Sequence, residues 1–159
     1  MKTLFFILGF LMLQSVVNAQ PPIGSFAPDI SLPNANGQVV QLSSLKGKVV
    51  VLDFWASWCG PCRISNREMV KVYQQFKDKG LEVYAVSIDV NKKAWTNAVK
   101  KDNISWLQVI DTKAANGNEL TQTWNLRYIP STFLIDKEGR IVAGGLQHDE
   151  LEKWLKRML

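Results

Sequence analysis

The chain has 159 residues, 19 Lys and Arg against 14 Asp and Glu, and two cysteines. That length is one domain's worth of residues. The net charge of +5 is spread over scattered basic residues, which excludes the clustered, aromatic-interleaved basic stripe of a nucleic-acid binder. Two cysteines and one distant histidine, His148, cannot supply the four ligands of a structural zinc site.

Residues Met1 to Ala19 read as a targeting segment. Lys2 gives a positive start, Leu4 to Leu13 is an apolar run, and Val17-Asn18-Ala19 is a small-residue cleavage site. The run is short against the roughly 20 apolar residues of a membrane span; an uncleaved anchor is the alternative. Cleavage after Ala19 leaves Gln20 to Leu159, with 18 basic and 14 acidic residues, as the mature chain. Gln20 to Pro28 is polar and rich in Pro and Gly, a linker, and residues 29–159 form the domain. No repeat or low-complexity tract interrupts it.

Asp29 to Leu32 and Gln38 to Leu42 alternate around Pro33-Asn34-Ala35-Asn36-Gly37 and predict a β-hairpin. Ser43 to Gly47 is a turn or a single helical turn. Lys48 to Phe54 holds four consecutive aliphatics closed by aromatics, a buried central strand. Trp58-Cys59-Gly60-Pro61-Cys62 follows at once. Beyond it Cys62, Met69 and Phe76 recur at seven, with Val72 and Tyr73 on the same face, so a helix runs from Cys59 to Lys79 and stops at Gly80. Cys59 therefore falls at a helix start and Cys62 one turn inside. Unpaired N–H groups and the positive end of the helix dipole favour an anion at that start. A Cys59 thiolate should form well below the free value of about 8.5, while Cys62 begins the apolar face and should be buried.

Leu81 to Ile88 is nearly all apolar, a strand buried on both faces. Asn91 to Asp102 is a helix with Trp95, Ala98 and Val99 on one side. Trp106 to Ile110 is a short extended piece, and Asn118 to Trp124 a further turn or two of helix. Ser131 to Asp136 and Arg140 to Ala143 are strands joined by the tight turn Asp136-Lys137-Glu138-Gly139. The last helix starts near Asp149, with Leu151, Trp154, Leu155 and Met158 in an i, i+3, i+4, i+7 stripe that is core. His148, just before it, is most simply a surface residue, and Arg63 points to solvent.

A bare Cys-x-x-Cys is a weak signal. Haem attachment needs His after the second cysteine, where Arg63 stands. A structural disulfide is the other alternative, but closing so small a loop constrains the unfolded chain little.

Val51-Leu52-Asp53-Phe54-Trp55-Ala56-Ser57-Trp58-Cys59-Gly60-Pro61-Cys62 resembles the active-site segment of thioredoxins. Together with Ala27-Pro28-Asp29, Leu45-Lys46-Gly47-Lys48 and the run from Ile129 to Gly139, it is similar to the TlpA/ResA branch of exported thioredoxin-like proteins. The resemblance implies an α/β thioredoxin fold, a central mixed sheet flanked by helices, with an N-terminal β-hairpin and a central insertion. It implies thiol–disulfide exchange without cofactor or metal: Cys59 attacks, Cys62 resolves, and Asp53 accepts the Cys62 proton. On its residues alone Asp53 could also be a solvated or hydrogen-bonded aspartate at a strand end. The resemblance further implies a cis Pro130 facing the dithiol, where the residues alone favour a trans proline opening a strand. Trp58, Gly60, Pro61, Ile129 and Pro130 would form the substrate groove, with Trp55 either on that rim or in the core.

Two positions depart from the pattern. Ser65 stands where such reductants often carry an acid, which removes support for a specific role in cytochrome c maturation. Arg67 stands where thioredoxins have a kinking proline, which predicts a straighter first helix. The expectation is a thiol–disulfide oxidoreductase, periplasmic or otherwise exported, that reduces protein disulfides. It would be a monomer, without stable membrane association after cleavage and without nucleic acid, recharged by a transmembrane thiol reductase. A thiol peroxidase and a non-catalytic thioredoxin-fold binding module are the alternatives.

Overall fold

The computed structural model describes residues 19–159; the expected targeting segment lies, but for Ala19, outside the described residues. The alternation ahead of the core forms strands β1 (Ser31–Pro33) and β2 (Val39–Gln41), paired antiparallel. A 3-10 turn over Leu42–Leu45 leads into β3 (Val49–Trp55), all seven residues of which are buried. Then come α1 (Gly60–Phe76), β4 (Leu81–Ser87), α2 (Lys92–Lys101), β5 (Leu107–Ile110), α3 (Glu119–Thr123), β6 (Ser131–Ile135), β7 (Ile141–Gly144) and α4 (His148–Met158).

The main sheet has the order β5-β4-β3-β6-β7. β3, β4 and β5 are parallel; β6 pairs antiparallel with β3, and β7 pairs antiparallel with β6. This mixed sheet between helices is a thioredoxin fold. The strand period of two sorts β3 onto both faces. Val49, Val51 and Trp55 join α1, α2 and α4 in one core through Met69, Val72, Phe76, Trp95 and Leu155. Val50, Leu52 and Phe54 join the hairpin and the α3 end in a second, built on Ile30, Leu42, Trp124 and Phe133.

The inserted stretch does more than extend a loop. α2 crosses over the first face and β5 adds a parallel edge strand to β4, the connection parallel strands require. The hairpin is held to the second face by Tyr84, whose hydroxyl donates to the Val40 carbonyl at 2.9 Å. Within the stretch read as a linker, Gly24 N–H donates to Ile141 O at 2.7 Å and Ile141 N–H to Ser25 O at 2.9 Å. Phe26 lies under the Arg140 guanidinium, 3.9 Å from its ring centre, so this part is docked on β7. α1 continues through Arg67 without interruption, and a further 3-10 turn ends at Gly80, whose φ of 107° needs a residue without a Cβ. No helix among the described residues is long and apolar enough to cross a membrane.

Candidate active site

The site lies where β3 hands over to α1. The connecting loop is fastened to the end of β4: the Asp89 carboxylate accepts from the Ser57 N–H at 2.8 Å, the Ser57 hydroxyl at 2.6 Å and the Ser87 hydroxyl at 2.7 Å. Cys59 follows as the N-cap of α1, with extended backbone. Small polar residues usually fill that position because their oxygen accepts from the first turn; here the Cys59 sulfur takes the role, accepting from the Cys62 N–H at 3.2 Å. Pro61 sits in the first turn, where a missing N–H costs nothing. Cys59 and Cys62 are joined as a disulfide, with Cα atoms 5.3 Å apart. Cys62 is 1% exposed.

From the other side comes the turn before β6. The Ile129–Pro130 peptide is cis, and the Ile129 carbonyl oxygen lies 3.9 Å from Cys59 Sγ. Two clefts meet at this turn. One, about 440 Å³, runs between α1 and α4 and is walled by Pro61, Ile64, Tyr128, Pro130 and His148. The other, about 310 Å³, lies on the α3 side and is walled by Trp58, Ile88, Leu126, Tyr128 and Ile129. Trp58 is 67% exposed on the rim, and Gly60 is also exposed, with nothing within 4 Å of where a Cβ would stand. Trp55 belongs to the core instead: it is fully buried and its indole N–H donates to Gln108 Oε1 at 3.1 Å.

Asp53 occupies the face of β3 that α1 covers, in step with Val51 and Trp55. It is 6% exposed, and its Oδ1 has no hydrogen-bond partner. Its register neighbours, Ala85 on β4 and Thr132 on β6, carry no charge. Burial without a counter-ion disfavours the carboxylate, and the Asp53 pKa is pushed up from 3.8 to about 7.

Two side chains stand elsewhere than the sequence suggests. Arg63 does not point to solvent. Its guanidinium folds back so that Nη1 donates to the Ser57 carbonyl at 3.2 Å and Nη2 to Asp102 Oδ1 at 2.9 Å, with Nε bonded to Asp102 Oδ2. His148 is not a plain surface residue either. It opens α4 half-buried, its Nδ1 is 3.1 Å from Glu68 Oε2 and its Nε2 3.5 Å from Ser65 Oγ. Asp102, Asp89 and Glu68 carried no local signal: each meets its partner only after the chain has folded. Among the described residues no cluster of three or more His, Cys, Asp or Glu could hold a metal ion.

The Redoxin family signature matches residues 22–157. The chain belongs to the Redoxin family. It is 32% identical over 155 residues to the thiol-disulfide oxidoreductase ResA of Bacillus cereus, covering 94% of this chain and 87% of that one. With ResA of Bacillus subtilis the identity is 35% over 137 residues, 85% of this chain and 74% of the relative. Among solved structures, the thioredoxin domain of a thiol-disulfide oxidoreductase from Bacteroides vulgatus superposes with a TM-score of 0.80 at 33% identity, over 87% of this chain and 98% of that domain. A C-terminal domain of a thiol-disulfide oxidoreductase from Bacteroides thetaiotaomicron gives 0.81 at 34%, over 88% and 97%. Within the thioredoxin superfamily this Redoxin member is of the TlpA/ResA type, and it is a thiol–disulfide oxidoreductase.

Proposed function

We propose that this enzyme reduces protein disulfides outside the cytoplasm, using Cys59 as nucleophile, Cys62 as resolving thiol and Asp53 as proton acceptor. The observation that carries the reading is the seat of Cys59: its sulfur takes the Cys62 N–H at the head of α1 and faces the Ile129 carbonyl. In the reduced enzyme a Cys59 thiolate keeps that donor and the helix dipole, which favour the anion. The thiolate attacks one sulfur of a target disulfide, forming a mixed disulfide and expelling a target thiolate that takes a proton from water. Cys62 then gives its proton to the Asp53 carboxylate and attacks Cys59 Sγ. The Cys59–Cys62 disulfide forms, the second target thiol leaves, and two electrons have passed from enzyme to target. A carboxyl poised near pH 7 can both take and return that proton.

The flanking Ile129 backbone suits an extended target strand, which gains affinity from main-chain bonds with little side-chain readout. Trp58, Gly60, Pro61 and Pro130 complete this groove. Export through cleavage after Ala19, a monomeric mature domain and recharging by a transmembrane thiol reductase belong to the same reading. The direction rests on Gly60-Pro61 between the cysteines, which offers no side-chain donor to stabilise the thiolate beyond the helix end.

Cys59→Ser should abolish reduction of a protein disulfide, and Cys62→Ser should accumulate mixed disulfides through Cys59 that mass spectrometry can localise. Faster alkylation of Cys62 than of Cys59 in the reduced wild type would reverse the assignment. A potential more oxidising than the glutathione couple would make the protein a disulfide donor instead.

A further inference from the structure

Arg63 is the residue after Cys62, and its guanidinium returns to the carbonyl of Ser57, two residues before Cys59. One side chain thus spans the whole cysteine-bearing turn. The other edge of the same guanidinium is held by both oxygens of Asp102, whose side chain is almost entirely buried. Asp102 ends α2, its N–H donating to Ala98 O at 3.0 Å. A carboxylate at a helix C-terminus meets the negative end of the dipole and is disfavoured unless a cation answers it. Arg63 and, at 3.3 Å, Arg67 supply that answer from α1.

A fixed arginine beside a helix-start cysteine lowers the thiol's pKa, because the cation favours the thiolate. The effect depends on whether its charge is free. We propose that Asp102 is a charge-masking positioning residue of the dithiol: paired with Arg63 it fixes the Ser57–Cys62 turn and withholds the guanidinium charge from Cys59. This rests on the reading of Cys59 as the nucleophile. The charged and titratable groups around the turn are Arg63 and Arg67 from α1, Asp102 from α2, Asp89 after β4, Asp53 from β3 and Arg127 before Pro130. Asp89 already binds Ser57 and Ser87, and Arg67 is half-exposed and screened by water and salt. The ion pair that touches the cysteine turn is Arg63–Asp102.

The test uses the reduced full-length protein and three variants, Asp102→Asn, Arg63→Gln and the double variant. Two quantities are read: the Cys59 pKa, from alkylation rate against pH, and the dithiol potential, from equilibration with glutathione. Asp102→Asn unmasks the cation and should lower the Cys59 pKa by on the order of half a unit to one unit, making the couple more oxidising. Arg63→Gln leaves the carboxylate and should shift both in the opposite direction. The double variant keeps a hydrogen-bonding pair without charge and should return close to wild type. A merely structural role would move both single variants the same way, or neither, and would leave the double variant uncorrected; either result overturns the proposal. If the wild-type dithiol fails to exchange with glutathione at all, the proposed function itself falls. If it exchanges and only the pattern of shifts fails, charge masking alone is lost.

Discussion

Asp53 and Asp102 are buried to nearly the same degree, 6% and 3% exposed, yet their carboxyls are driven in opposite directions. At Asp53 burial acts unopposed and raises the pKa to about 7. At Asp102 burial also raises it, but the hydrogen bonds and charges of Arg63 and then Arg67 outweigh burial and hold it below the ordinary carboxylate value. At Asp53 no partner opposes burial; at Asp102 the charged partners outweigh it. The raised pKa suits Asp53 to the proton-acceptor role proposed for it, and the lowered one keeps Asp102 an anion in its pair with Arg63. The two also pull stability in opposite senses with pH.

The largest effect is expected at Asp53. Its folded-state pKa lies above the unfolded value of 3.8, so its contribution is fully present below that value and is lost as pH rises towards about 7. A rise from 3.8 to about 7 corresponds to roughly 4 kcal/mol lost by the time pH exceeds 7. Asp53→Asn removes this term. Urea unfolding of the variant should show little pH dependence between pH 4 and 8, and its stability advantage over wild type should grow across that interval. Resolution of the mixed disulfide should slow in parallel. A wild-type profile already flat over that range would mean that Asp53 is hydrated or paired.

Asp102 should show the mirror image. Its lowered pKa means a contribution present above 3.8 and lost as pH falls through the folded-state value. Asp102→Ala should cost about 3 kcal/mol at neutral pH, because it leaves a partly buried guanidinium without its counter-ion, and the deficit should shrink in acid. Thermal unfolding at pH 7 and pH 3 measures both. An equal deficit at the two pH values would assign the loss to packing rather than to the pair.

The same two residues show what could be read in advance. The strand that carries Asp53 was legible, because four aliphatics before it and Phe54-Trp55 after it declare burial; that Asp53 itself lacks a hydrogen-bond partner at Oδ1 was left open by the sequence. The strand, the helix-start cysteine, the hairpin and the terminal helix are local patterns of the same kind. Asp102 was not legible. It ends an amphipathic helix among Lys100, Lys101 and Asn103, as an exposed C-cap would, and its partner lies 39 residues away in sequence. The extended piece that becomes β5 was read, but not its place: four residues can look extended without saying that they will add an edge to β4. His148 read as a surface residue because Glu68 and Ser65 meet it only when α4 packs on α1.

That last cluster extends the comparison to a carboxylate that is paired but exposed, and there the smallest effect is expected. Glu68 is 59% exposed at its side chain and sits 3.1 Å from His148 Nδ1. Water and salt weaken such a pair, so Glu68→Gln should cost no more than about 0.5 kcal/mol. Whatever it contributes should fade in molar salt. Chemical denaturation of wild type and variant, each with and without 1 M sodium chloride, measures this. A loss of about 2 kcal/mol or more that persisted in 1 M salt would show that Glu68 supports the α1–α4 contact through packing or through Ser65, and burial of the pair would then be the quantity to revise.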